Sequence, residues 1–250
     1  AAMAHDRQRI DEEAGLSGAT RTVAIRKPDR MSVRGGYPEH LRSVYDPYGI
    51  TTAEEGGTLY TNQKAFAGAT IRDMLDKYGT TPDRDEWITT GDTVNAYYNP
   101  TDNSINFPAG FLQAPMYSPE QSTSANLGGI GVVIGHEISH AFDNDGALYD
   151  ENGNMKNWWT DADLSAFQER AEAMVALFDG IPYAGMTVNG RLTLGENIAD
   201  AGGLSCMIAL ADTLPDASLT AFFESYAAIW PVKMTTEQAA QLMANAHAPS

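Results

Sequence analysis

Near the middle of the chain, LGGIGVVIGHEISHAF (127–142) is apolar on nearly every face of a helix, yet it carries two histidines and a glutamate. A helix that is apolar all round is buried. Burying His136, Glu137 and His140 there is costly unless something satisfies them, because an unpartnered buried carboxylate is expensive. Residues four apart on a helix share one face, one turn above the other. His136 and His140 can therefore aim ring nitrogens at one point about 2 Å from each, as zinc requires. Glu137 is rotated by about 100° from His136. It flanks such an ion, where it can reach a water and act as the base of a metallopeptidase. The competing account is two core histidines beside a buried glutamate, and it leaves all three side chains unsatisfied.

The whole chain narrows the function classes further. Its 250 residues suit one large domain or two small ones. Lys and Arg total 16 against 33 Asp and Glu, a formal charge of −17. That balance excludes nucleic acid and an anionic membrane as partners, since both need a basic face. The single cysteine, Cys206, rules out an intrachain disulfide and lies in an apolar helical run, where a buried inert thiol is expected. No stretch approaches the length of a membrane span, so no membrane contact is expected of this portion, and no signal pattern opens the chain. These features favour a cytoplasmic protein. The N-terminus has no obvious beginning and ANAHAPS stops abruptly, as a fragment of a longer protein would.

Residues 1–35 read as charged helical segments broken near Gly15 and Gly18, followed by a loop through GGYPEHLRSVYDPYGITTAEEGG. Phe66, Ile71 and Leu75 recur at helical spacing in a segment that stops at Gly79. Alternation on either side of NPTDN predicts a hairpin with strands at 95–98 and 104–107. A long helix is expected from Ser118 or Glu120 to Phe142, its glycines placed for the close approach of another backbone. Further helices are expected after Thr160 or Asp161, from near Gly195, and over SLTAFFESYAAIW and TEQAAQLMANA. The fold class expected is α+β, mostly helical, with a small sheet. Residues 1–60 are expected to precede a catalytic domain at 61–250 that is cut short at its C-terminus.

Two histidines leave a catalytic zinc one protein ligand short. A third histidine six residues after His140 is excluded, because Gly146 stands there. A glutamate 19 or 20 residues after it is excluded by Trp159 and Thr160. The segment GENIAD offers Glu196 and Asp200, four apart on one helical face. Glu196 can complete the metal site, and Asp200 can accept the free ring N–H of a ligand histidine. Such a pair more often marks a solvated helix face, but apolar AGGLSCMIAL follows directly. Asp143 is a further candidate partner for His140. DNDGALYDENGN fails the calcium-loop pattern, because Ala147 occupies the fifth position, and reads as a turn-rich loop.

VNAYYNPTDNSINFPAGFLQAP, GGIGVVIGHEISHAFDNDGALYDENGNMKNWW and LGENIADAGGL together resemble the catalytic domain of the neprilysin-type zinc peptidases, family M13, and its bacterial PepO-type members in character. IRKPDRMSVRGGYPEHL resembles, more loosely, the segment that precedes that domain. The resemblance implies a thermolysin-like zincin (gluzincin) fold with one zinc held by His136, His140 and Glu196. It implies Glu137 as base and proton shuttle, and Asp200 as the carboxylate behind a ligand histidine. Asn95 and Ala96 of NAYY resemble the edge-strand pair that holds a substrate backbone. Phe111, Met116, Val132, Val133, Ile229 and Trp230 fall where the family builds an apolar pocket for the residue after the cut. AHAP resembles the start of a motif whose histidine, His247 here, stabilises the oxyanion. The motif's arginine would fall three residues after Ser250. The family's helical cap, which restricts substrates to short peptides, has no counterpart in the chain. The expectation is a metalloendopeptidase that cleaves oligopeptides on the amino side of bulky apolar residues. The alternative is a zinc-binding but inactive fragment lacking the cap and the arginine.

Overall fold

The computed structural model describes residues 2–40, 49–81 and 83–249. The chain divides into two units, residues 1–36 with 89–250, and Tyr37–Ile88. Helices α1 (Ala2–Glu12) and α2 (Gly18–Arg30) lead into strand β1 (Ser32–Gly36). A strand therefore ends the segment read as helical, because Ser32–Gly36 finds a parallel partner later in the chain. Helix α3 (Leu59–Asp76) belongs to the second unit and follows the spacing of Phe66, Ile71 and Leu75. Thr58 caps it by accepting the Thr61 amide, and the chain turns out of it at Gly79, where φ is +75°. Part of the loop expected before α3 falls on residues 41–48, outside the described residues.

The hairpin forms where alternation placed it, as β2 (Tyr97–Asn99) and β3 (Ser104–Pro108). Strand β3 is fully buried and pairs on both sides, parallel with β1 and antiparallel with β2. The order β1-β3-β2 leaves β2 at an edge. Buried Arg34 ties the sheet together, with Nη2 2.8 Å from Asp102 Oδ2 and Nη1 donating to Ser104 and Asn106.

Next come α4 (Thr123–Asn126), a π-helical segment over Leu127–Gly131, α5 (Val132–Ser139) and 3-10 turns at His140–Phe142 and Gly146–Leu148. The single helix expected to begin at Ser118 or Glu120 thus starts later and is broken. Gly129 leaves the helical region (φ −86°, ψ −108°), and the freed Ile130 amide pairs with Met116 O at 2.8 Å. The remaining elements are α6 (Asp161–Phe178) with Thr160 as N-cap, the short pair β4 (Pro182–Tyr183) and β5 (Met186–Thr187), α7 (Leu194–Ala211), α8 (Leu219–Ala228) and α9 (Thr236–Leu242). Helices dominate and the sheets are small, the α+β, mostly helical class the sequence predicts.

Helices α5 and α7 meet at glycine. A Cβ on Gly135 would lie 2.8 Å from Gly203 Cα, and one on Gly203 would lie 2.5 Å from His136 N. Only glycine lets the two backbones approach this closely, as the glycine content of the run predicts. The crossing sets the first turns of α7 beside the last turn of α5. Two apolar clusters flank α5. One holds Ala96, Ile105, Phe107, Phe111, Val133 and Ile138. The other holds Val132, Cys206, Met207 and Phe222. Cys206 is buried, and burial pushes its thiol up to about 12, so it is the inert thiol expected.

Candidate metal centre

Helix α5 presents His136 and, one turn on at its C-cap, His140. Their Nε2 atoms stand 2.9 Å apart, with the rings at 89°. From α7, Glu196 brings Oε2 to 3.3 Å from His136 Nε2 and 3.5 Å from His140 Nε2. Ligands held about 2.1 Å from one tetrahedral ion stand about 3.4 Å from each other, so the three donors have the spacing of a shared cation. Glu196 Oε2 is also buried without a hydrogen-bond partner. A carboxylate oxygen facing two imidazole nitrogens is an arrangement that suits a cation, and the residues fit zinc by donor type as well.

Each histidine is oriented from behind. Asp200 Oδ1, one turn past Glu196 on α7, is 2.8 Å from His136 Nδ1. Asp143 Oδ2, in the turn after α5, is 2.6 Å from His140 Nδ1. These contacts hold a proton on Nδ1 and leave the Nε2 lone pair for a metal. Carboxylates surround both imidazoles. Burial pulls both imidazoles down, but Asp200 and Glu196 lift His136 to about 9, and Asp143 and Glu196 lift His140 to about 10. Glu196 shows the converse. Burial pushes it up, but the two imidazoles win and hold it well below the usual carboxylate range.

Glu137 is only 4% exposed. Burial raises its pKa against the pull of His136 and His140. His247 is exposed, with Nε2 3.2 Å from Glu196 Oε2 and Nδ1 2.8 Å from Asn245 Oδ1. The structure thus gathers His136, Glu137, His140, Glu196, Asp200 and His247 from three separate stretches of chain.

The substrate-side residues are placed less uniformly. Asn95, exposed, and Ala96, buried, lead directly into edge strand β2. Phe111 and Val133 are buried in one cluster, with Met116 and Ile229 packed against it. Val132 faces the other cluster, with Cys206, Met207 and Phe222. Adjacent helical residues diverge by about 100°, so Val132 and Val133 point to different sides of α5. Trp230 is exposed and sets its ring edge-on to Tyr226, centroids 6.2 Å apart.

The sequence profile of peptidase family M13 matches residues 95–250. The chain belongs to family M13. It is 42% identical over 243 residues to a neutral endopeptidase of Lactobacillus helveticus, covering 97% of this chain and 37% of that protein. Among solved M13-like structures, it superposes on PEPO from Lactobacillus rhamnosis HN001 with a TM-score of 0.92 at 44% identity, covering 99% of this chain and 39% of that one. It superposes on the Mycobacterium tuberculosis zinc metalloprotease ZMP1, solved in complex with an inhibitor, with a TM-score of 0.86 at 34% identity, covering 99% and 40%. The chain therefore spans about two-fifths of the length of these M13 relatives. No helix among the described residues is long and apolar enough to cross a membrane.

Proposed function

We propose that this chain carries the catalytic centre of a zinc endopeptidase acting on oligopeptides on the amino side of bulky apolar residues. The observation that carries the reading is the convergence of His136, His140 and Glu196 on one point, with a carboxylate behind each histidine and a buried glutamate beside them. Zinc held there supplies Lewis acidity, polarising a peptide carbonyl and acidifying water. Glu137 takes a proton from the attacking water and returns it to the departing amine. Its burial raises its pKa above the ordinary carboxylate value.

The remaining residues position the peptide. An extended substrate adds along the outer edge of β2, with Asn95 and Ala96 holding its backbone. Phe111, Met116, Val133 and Ile229 receive the apolar side chain after the cut, with Trp230 at the exposed side and Val132 supporting α5 from behind. His247, whose Nε2 lies 3.2 Å from Glu196 Oε2, donates an N–H to the oxyanion. Glu137→Gln tests the reading. Peptide turnover should fall by about 10²–10⁴-fold while zinc content stays unchanged. Undiminished turnover would remove Glu137 from the role of base.

A further inference from the structure

Lys27 lies on α2, far in sequence from the metal centre, and none of its surface is exposed. Burying an ammonium is costly unless its charge and its protons are satisfied. Here all three protons are taken by backbone carbonyls, Ala141 O at 2.6 Å, Gly146 O at 2.8 Å and Tyr149 O at 2.8 Å. The rings of Phe142 and Trp158 lie 5.6 and 5.5 Å from Nζ. Every one of these partners except Trp158 belongs to the chain between His140 and Asp150.

From His140 on, that segment is 3-10 turns rather than α-helix, and of the three carbonyls on Lys27, Gly146 O also accepts the Tyr149 amide at 3.0 Å. Its amides are gathered by the opposite charge. Asp143 Oδ1 accepts from Asp145 N at 2.8 Å and Gly146 N at 2.6 Å, while Oδ2 holds His140 Nδ1. The turn is thus clamped between a cation that collects carbonyls and an anion that collects amides. The anion is the one that orients a proposed metal ligand. Gly146 is shared, its carbonyl on Lys27 and its amide on Asp143.

We infer that Lys27 is a positioning residue for the metal centre, fixing the turn that aims Asp143 at His140. The inference rests on the metal-centre reading above. A lysine suits the task because three tetrahedral donors reach three carbonyls converging from different points of one turn. A planar guanidinium cannot thread the same arrangement. An apolar residue of similar length fills the space and deprives the three carbonyls of their shared donor.

The test measures Co(II) affinity and the visible Co(II) absorption of the 250-residue chain, which report ligand geometry independently of turnover. Wild type, Lys27→Met, Asp143→Asn and the double variant are compared, with circular dichroism for folding. Lys27→Met should weaken Co(II) about tenfold or more and alter its spectrum, within the range of effects seen for groups behind metal ligands. The double variant should be no more than about twofold weaker than Asp143→Asn alone, because both act through one contact. Wild-type affinity and spectrum in Lys27→Met, even with a lowered melting temperature, would overturn the inference, as would losses that multiply in the double variant. If Lys27→Met does not fold, Lys27→Arg carries the same readout, where weakened binding supports the role and wild-type binding overturns it. A wild-type chain that takes up no cobalt overturns the metal centre itself and Lys27's role with it, a result distinct from wild-type binding that Lys27→Met leaves unchanged.

Discussion

His136 leans on Asp200, whose side chain is 51% exposed on the surface of α7. His140 leans on Asp143, 6% exposed in the turn after α5 and bonded to two backbone amides of that turn. The chemistry is the same, a carboxylate on Nδ1, but the settings differ. Asp200 is a single contact across a helix crossing that Gly135 and Gly203 bring close. Asp143 is the hub of a turn, so its orientation is set by the backbone around it as well as by the histidine. The same ligand geometry is therefore reached in one place by helix packing and in the other by a hydrogen-bonded turn. A contact with buried, multiple partners should be the harder one to replace.

The largest expected effect separates the two directly. Asp143→Asn should weaken zinc binding toward the upper end of about 10–100-fold and lower thermal stability. Asp200→Asn should fall near the lower end with stability unchanged. Calorimetric zinc titration and thermal melts check both, and equal losses would erase the distinction.

The pH dependence is the next largest effect. Zinc binding requires each Nε2 to release a proton, and the metal-free imidazoles sit at about 9 for His136 and about 10 for His140. Affinity should climb with pH through neutrality and level off above those values. Asp200→Asn should move the lower break toward the ordinary histidine value of about 6.5, and Asp143→Asn the upper one. The stability of the metal-free chain runs the other way. A raised histidine pKa stabilises the fold fully below about pH 6.5, and that contribution fades as pH rises through 9 and 10. The smallest effect is that of salt. Raising it from about 0.1 to 1 M should weaken the exposed Asp200 contact and leave Asp143 nearly untouched. Zinc affinity of Asp143→Asn should then fall more with salt than that of Asp200→Asn.

The same contrast between packing and turns governs what the sequence made legible. Helical spacing announced α3, α6, α7, α8 and α9, and alternation announced the hairpin, because those patterns are local. The break at Gly129 was not visible, since it depends on Met116 O arriving from a preceding loop to take the Ile130 amide. The strand Ser32–Gly36 was missed for a similar reason, because its partner β3 lies some seventy residues on. Within the site, His136, Glu137, His140, Glu196 and Asp200 were readable from spacing, and the structure brings them together. Lys27 was not, because in IRKPDR it is one basic residue among several and nothing local says that it is buried. Val132 and Val133 were grouped by the resemblance, whereas the helical angle between neighbours sends them to different clusters.

The central claim, that His136, His140 and Glu196 form one zinc centre, is tested most directly by zinc content after exhaustive dialysis. Wild type and Glu137→Gln should each retain about one equivalent per chain, and Glu196→Gln should lose most of it, because the third donor is gone. Zinc retained equally by Glu196→Gln and wild type, or by neither wild type nor Glu137→Gln, would contradict the account.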